Sequence, residues 1–230
     1  MAETRTHTDG RHKIRLVGFD FDNTIVKYEN SLSAWGMLSA PLGLEKERLK
    51  MKEEYFAGKF GFEEWSQKCT NLLIKGGMTR QIMESIMEKH MHLVDGVPQL
   101  FSELKERCIS IAIISGGMKN AYEFLSERHG IKADYTSICT ELFFDKDGKL
   151  EKQKTVSMDY ERKVLAMERI CAKAGISMKE CAFVGDGLND IYLFREVGLP
   201  IAIHPIDPKV SEEAKYTIKS SIMEVLDILE

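Results

Sequence analysis

A chain of 230 residues with 43% hydrophobic content can bury one sizeable core and still carry a modest insertion, but two full domains would be cramped. Its formal net charge of −4 holds no reservoir of positive potential for a nucleic-acid backbone or an anionic membrane, which excludes polyanionic partners. The five cysteines, Cys69, Cys108, Cys139, Cys171 and Cys181, are odd in number and form no CxxC pair, so zinc and disulfide frameworks are set aside in favour of a reduced, cytoplasmic interior.

In chain order, Met1 to Lys13 lacks the apolar run of a signal peptide and reads as frayed, and no stretch of about 18 apolar residues follows to span a bilayer. No internal repeat or low-complexity segment argues for a solenoid or scaffold. The continuous apolar run Ile14 to Phe19 predicts a strand covered on both faces in a parallel sheet, and it leads directly into Asp20. From Tyr28 to about Leu93 the texture changes to charged, methionine-bearing helical sequence with no buried strand, broken at glycines, which predicts a helical cap inserted after the first strand. Within it Phe62, Trp65, Cys69, Leu72 and Leu73, and then Ile82, Met83, Ile86 and Met87, fall at helical spacing and read as packing stripes.

Beyond the cap, strands and helices alternate. Pro98 to Arg107 is a predicted helix with proline in its first turn, and Ile109 to Ile114 a strand ending at a Ser115-Gly116-Gly117 turn. Lys119 to Arg128 is a helix, and Leu142 to Leu150 a hairpin around an Asp-Gly turn, appended to the core. Tyr160 to Lys173, Cys181 to Val184, Asn189 to Val197 and Pro200 to Ile203 follow as helix, strand, helix and strand. This order predicts an α/β fold, a three-layer Rossmann-like parallel sheet with residues 1–27 and 94–230 as core and 28–93 as cap. Ligands of such sheets bind beyond the carboxyl ends of the strands, where Asp20, Ser115 and Asp186 all fall.

Asp20 and Asp22 stand two apart where a buried strand gives way to a loop; alone they read equally as a solvated strand end. A second acidic loop, Gly185-Asp186-Gly187-Leu188-Asn189-Asp190, follows another apolar strand. Carboxylates gathered at one sheet edge repel one another unless a hard cation holds them, which predicts a magnesium site. Ser115 with the amides of Gly116 and Gly117 offers an anion-accepting turn ahead of a helix N-terminus. Phosphoryl transfer needs a nucleophile, an acid for the leaving oxygen and fixed donors around the phosphoryl oxygens, and candidates for each are present.

Together Asp20-Phe21-Asp22-Asn23-Thr24, Ser115-Gly116-Gly117, a lysine and Gly185 to Asp190 resemble the ordered motifs of the haloacid dehalogenase superfamily, particularly its phosphoserine phosphatase-like branch, over the whole chain after about Lys13. Lys152, Lys154 and Lys163 all precede the last motif; Lys163 is chosen because it begins an amphipathic helix and stands 22 residues before Gly185, a spacing similar to the family's. The resemblance implies a magnesium-dependent phosphatase acting on a small phosphorylated metabolite through an aspartyl-phosphate. Asp20 would be the nucleophile and Asp22 the acid and base; Ser115 and Lys163 would bind the phosphoryl group. Metal would be held by the side chains of Asp20 and Asp186 and the main-chain carbonyl of Asp22, with Asn189, Gly116 and Gly117 around the phosphate and Asp190 behind the ligands.

Glu29, nine residues after Asp20, matches the position of a family glutamate that meets the substrate's ammonium group, whereas Cys69 falls where the family's carboxylate-binding arginine is expected. That departure predicts poor use of phosphoserine, with amines lacking a carboxylate or neutral polar alcohols competing well, unless Arg48 or Arg80 reaches the cleft from another helix. A catalytically silent binding module and a mutase are the alternatives; the former has no chemical need for Asp22, and the latter would isomerise without releasing phosphate.

Overall fold

The computed structural model describes residues 13–157 and 161–230, so the first dozen residues, expected to be frayed, and the expected helix start at Tyr160 lie outside the described residues. The elements run β1 (Leu16–Phe19), β2 (Val26–Tyr28), α1 (Ala34–Ser39), α2 (Glu45–Phe56), α3 (Phe62–Lys75), α4 (Arg80–His90), β3 (Met91–Leu93), α5 (Val97–Glu106), β4 (Ser110–Met118) and α6 (Lys119–His129). They continue with β5 (Tyr135–Phe144), β6 (Leu150–Thr155), α7 (Glu161–Ala174), β7 (Cys181–Gly185), α8 (Ile191–Glu196), β8 (Leu199–Ile203), α9 (Pro208–Glu213), β9 (Tyr216–Ile218) and α10 (Glu224–Ile228).

Seven strands form one sheet in the order β6-β5-β4-β1-β7-β8-β9, every neighbouring pair parallel except β5 and β6. Alternation along the central strands divides two apolar layers. Val17, Phe19, Ile111, Ile113, Ala182, Val184, Ile201 and Ile203 share a cluster with residues of α5, α6 and α10. Leu16, Ala112, Ile114, Cys181, Phe183 and Ala202 share the other with α7, α8 and Val210 of α9. A sheet covered on both faces has no polar side to show, which is why these strands read as unbroken apolar runs. At Gly18 a Cβ would stand 2.7 Å from Met167 Cε and 2.8 Å from the Phe183 ring, so the bare backbone lets α7 lie close against β1.

Three expectations need correction. Ser115-Gly116-Gly117 is no turn: β4 runs on to Met118, with an irregularity against β5 between Ser115 and Met118 that lets pairing resume at Met118 and Thr140. The hairpin is no appendage, because β5 first pairs with β4 and then with β6 as the sheet's edge. Asn189 sits not in an α-helix but in a 3-10 turn over Leu188–Asp190, with α8 starting after it.

Between β2 and β3 stands the helical insertion α1–α4. Its root is a two-stranded antiparallel ribbon pairing Val26 with Leu93 and Tyr28 with Met91, short strands that the sequence reading left unseen. Trp65, Cys69, Leu73, Met83, Ile86 and Met87 are buried as the periodicity predicts, whereas Ile82 is 36% exposed. The stripes form one continuous apolar cluster with the sheet face of α5 and α6. The insertion is tied to the β5–β6 arm as well: Leu150 N–H donates to Met78 O at 3.0 Å and Arg80 N–H to Gly148 O at 2.8 Å. The buried hydroxyls of Ser66 and Thr140 meet that of half-buried Thr155 and each other at 3.1 to 3.3 Å.

Candidate active site

β1 carries Asp20 to the carboxyl edge of the sheet, where its N–H donates to Val184 O of β7 at 2.9 Å and its Oδ1 accepts from Phe21 N–H at 2.7 Å. The residue is 5% exposed. One face of α7 is buried at Lys163, Ala166, Met167, Ile170 and Cys171, the helical i, i+3, i+4, i+7, i+8 pattern with a lysine at its head. Contact of Met167 with the bare backbone at Gly18 therefore aims Lys163, one turn earlier, at the end of β1. The fully buried Lys163 Nζ lies 3.2 Å from Asp20 Oδ1 and 2.6 Å from Asp190 Oδ1. After β7, Asp186 Oδ1 accepts from Thr24 Oγ1 at 3.2 Å, and Asp190 Oδ2 accepts from Gly187 N–H at 3.0 Å.

These loops bring Asp20, Asp186 and Asp190 together, one carboxylate oxygen of each lying within 4.8 Å of the others. Asp190, expected behind the ligands, belongs to this group directly. Across from it, Asp22 accepts a hydrogen bond from Tyr28 Oη at 2.5 Å. Ser115, 1% exposed, places its Oγ 3.1 Å from Gly117 N–H. A Cβ at Gly117 would stand 3.1 Å from Asp22 Oδ1 and 3.3 Å from Ser115 Oγ, so this glycine sits between the two. Asn189 lies over Gly187 at the same loop.

Four carboxylates share one ammonium group here, and their titration reflects it. Burial, then repulsion from Asp20 and Asp190, pushes Asp186 up to about 8. Burial raises Asp22 to about 7 against the stabilising Tyr28 hydrogen bond. Asp190 is also raised by burial, with Lys163 opposing. Burial alone would depress Lys163, but Asp190 and Asp20 outweigh it and hold the ammonium charged. Burial and the adjacent Asp22 push the Tyr28 phenol well above its usual range, leaving it a hydrogen-bond donor. An all-oxygen set with surplus negative charge fits a hard divalent cation, as magnesium is.

Other positions fall outside this cluster. Glu29 stands on the exposed side of the ribbon, its carboxylate meeting His90 Nδ1 and His92 Nε2, each at 3.1 Å. Cys69 is buried in α3, its thiol pushed up to about 12 by burial although the charge of Arg48 acts against this. Arg48, itself 6% exposed, forks onto Glu45 through Nε at 3.0 Å and Nη2 at 2.6 Å. Arg80 stacks over Phe144 at 4.7 Å. Tyr28 escaped the sequence reading; Thr24 entered it only as the last residue of the first acidic motif, and Arg48 only, beside Arg80, as an arginine that could reach the cleft from another helix.

Comparison with known proteins agrees with this geometry. The family profile for haloacid dehalogenase-like hydrolases matches residues 14–198. The phosphoserine phosphatase of Methanocaldococcus jannaschii is 32% identical over 222 residues, 93% of this chain and 97% of that protein. That of Archaeoglobus fulgidus is 30% identical over 190 residues, 83% of this chain but 52% of the relative's length. Among solved structures, a phospho-aspartyl intermediate analogue of phosphoserine phosphatase superposes with a TM-score of 0.76 at 30% identity, over 95% of this chain and 100% of that one. Fold, ordered motifs and relatives converge: the chain belongs to the haloacid dehalogenase-like hydrolases, in their phosphoserine phosphatase-like branch, and is a phosphoric monoester hydrolase.

Proposed function

We propose that this protein is a magnesium-dependent phosphatase that hydrolyses a small phosphomonoester through an aspartyl-phosphate on Asp20. The observation that carries the reading is the buried Asp20–Lys163–Asp190 pairing beside Asp186, at the sheet edge where substrates of α/β folds bind. Asp20 and Asp186 side chains and the Asp22 carbonyl would hold magnesium, with Asp190 next to them. When bound, the ion neutralises charge on the phosphoryl group and orients it.

Asp20 attacks phosphorus while Asp22 delivers a proton to the leaving alkoxide; Asp22 then takes a proton from the water that cleaves the acyl phosphate. Lys163 balances the charge of Asp20 and, with the Ser115 hydroxyl, the Gly116 and Gly117 amides and Asn189, steadies the phosphoryl oxygens. The helical insertion α1–α4, residues 28–93, serves as the cap that receives the rest of the substrate.

Two features of the insertion bear on that remainder. Glu29 already has a histidine on each carboxylate oxygen, and Arg48 places a buried cation within electrostatic reach of Cys69. These favour a substrate bearing a carboxylate over one whose only head-group charge is an ammonium, against the expectation from Cys69 alone. Among the described residues no helix is long and apolar enough to cross a membrane and no disulfide pairs the cysteines, in keeping with activity in the cytoplasm.

A phosphate-release screen over small phosphomonoesters, in magnesium and in chelator, tests the reading. Turnover in magnesium, its loss in chelator and inhibition by calcium are expected, since calcium's larger, looser shell misplaces nucleophile and phosphate. Full activity in chelator would rule the reading out.

A further inference from the structure

Asp22 is held from two directions, and neither contact belongs to the acidic cluster. On one side lies the backbone of Gly117, too close to admit a side chain without movement. On the other, Tyr28 Oη donates to Asp22 Oδ1 at 2.5 Å, a short bond of the charge-assisted kind. Tyr28 is 7% exposed and fixed by its own element: it ends β2, pairs with Met91 of β3, and lies on the buried side of the ribbon while Lys27 and His92 face outward. The loop between the two residues is equally constrained. The N–H groups of Thr24, Ile25 and Val26 all converge on Phe21 O at 3.1 to 3.3 Å, and Asn23 takes a φ of 60° to close the turn. An aspartate at a strand end has two free side-chain torsions, and this phenol removes them.

We propose that Tyr28 is the positioning residue for acid–base catalysis at Asp22, and that through it the β2–β3 ribbon at the root of the helical insertion takes part in the reaction. The inference rests on the role given to Asp22 above. With Oδ1 tethered to Tyr28, Oδ2 is the oxygen that handles the proton. That proton moves from Asp22 to the leaving alkoxide oxygen as its bond to phosphorus breaks and the bond from Asp20 forms. In the second half, water loses a proton to Asp22 as its oxygen bonds to phosphorus and the acyl phosphate opens. Tyr28 keeps its own proton throughout. Because the same tyrosine belongs to a strand that leads into the insertion, any shift of the ribbon moves the acid with it.

Tyr28→Phe deletes one oxygen at nearly constant volume, and a melting curve checks that the variant is folded. A residue that orients a proton donor matters most when the leaving group needs the proton. With an alkyl phosphate kcat/KM, which reports only the steps up to release of the alcohol and not the later hydrolysis common to all substrates, should fall by about tenfold or more, while with p-nitrophenyl phosphate it should fall by less than about twofold. In the Asp22→Asn background the same change should cost nothing further, since Tyr28 acts through the group already removed. An equal fall for both substrates, or a full additional loss on top of Asp22→Asn, overturns the proposal and leaves a merely structural tyrosine. If Asp22→Asn itself shows leaving-group dependence and Tyr28→Phe does not, Tyr28 alone is dismissed. If Asp22→Asn shows none, the role of Asp22 falls and the proposal falls with it.

Discussion

The sheet edge and the helical insertion bury charge in opposite ways. At the sheet edge, Asp20, Asp186, Asp190 and Lys163 come from two loops and a helix, each loop following a strand of the sheet, and negative charge is in surplus. In the insertion, Arg48 is the one buried cation, compensated by a glutamate three residues earlier on its own helix, and the packing elsewhere is aromatic, with Trp35, Tyr55, Phe62 and Trp65 ring against ring. A surplus that the fold does not neutralise is a binding site for something positive. A pair that the helix neutralises within one turn can be lent to a ligand and taken back. Chemistry that must not vary is therefore built on strands, and selection that can vary is built on helices.

The largest test of that contrast is Asp20→Asn, which keeps shape and removes the attacking charge. Turnover should drop by at least about 10⁴-fold. Because Asp20 also repels Asp22, Asp186 and Asp190, the variant should melt no lower than the parent in chelator. Phosphate release and a melting curve on one preparation check both halves. Loss of activity accompanied by a lower melting temperature would mean that Asp20 is structural, and the sheet edge no different from the insertion.

Lys163→Met probes the same edge from the other charge. Its ammonium is fully buried against Asp20 and Asp190, so its removal leaves two carboxylates without a counterion and should cost about 3 to 5 kcal/mol. Urea unfolding in chelator measures this. Added magnesium should restore part of the loss, since a ligand that binds only the folded state contributes about 2.7 kcal/mol at a hundred times its dissociation constant. Unchanged stability in chelator would show that the acids are protonated rather than paired.

How much of this was legible follows the same division. β1, β4, β7 and β8 announced themselves because strands covered on both faces cannot hide a polar side, and the acidic residues at their ends stood out against those runs. The three-residue strands β2, β3 and β9 are too short for any period to show. Arg48 lies in the charged run EKERLKMKEEYF, where nothing distinguishes the arginine that tertiary packing buries from lysines left in water. Tyr28 gave no signal because its partner, Asp22, is reached only once the loop closes. The glycines of Ser115-Gly116-Gly117 suggested a turn, whereas their lack of side chains serves a bulged strand passing beneath Asp22.

Arg48→Met tests selection within the insertion. If the guanidinium meets a substrate carboxylate, the ratio of kcat/KM for phosphoserine over phosphoethanolamine should fall about ten- to a hundredfold, the worth of one or two charge-assisted hydrogen bonds. Activity on p-nitrophenyl phosphate should hold, because the sheet edge is untouched. A ratio unaltered by the change would leave Arg48 to Glu45 alone and return the head group to the amine expected from Glu29 and Cys69.

The smallest effect concerns how helices end in the two regions. In the insertion the turns after α2 and α3 pass through Gly58 at φ 73° and Gly77 at φ 75°, where glycine meets no steric cost. In the core, α6 and α7 likewise end at Gly130 and Gly175, at φ 67° and 65°, but the turn after α5 passes through Cys108 at φ 56°, with Cys108 N–H donating to Lys105 O at 2.9 Å and Ile109 N–H to Leu104 O at 2.8 Å. A side chain in that left-handed region costs about 1 to 2 kcal/mol. Cys108→Gly removes the cost but adds freedom to the unfolded chain worth about 0.4 to 1 kcal/mol, so a net gain of roughly 0.5 to 1 kcal/mol is expected. Cys108 is exposed and lies away from the acidic cluster, so activity should not change. Urea unfolding of the two forms, with equal m-values, measures the gain. A variant less stable than the parent would mean that the Cys108 side chain makes contacts worth more than the strain, and that this core helix ends on cysteine for its packing.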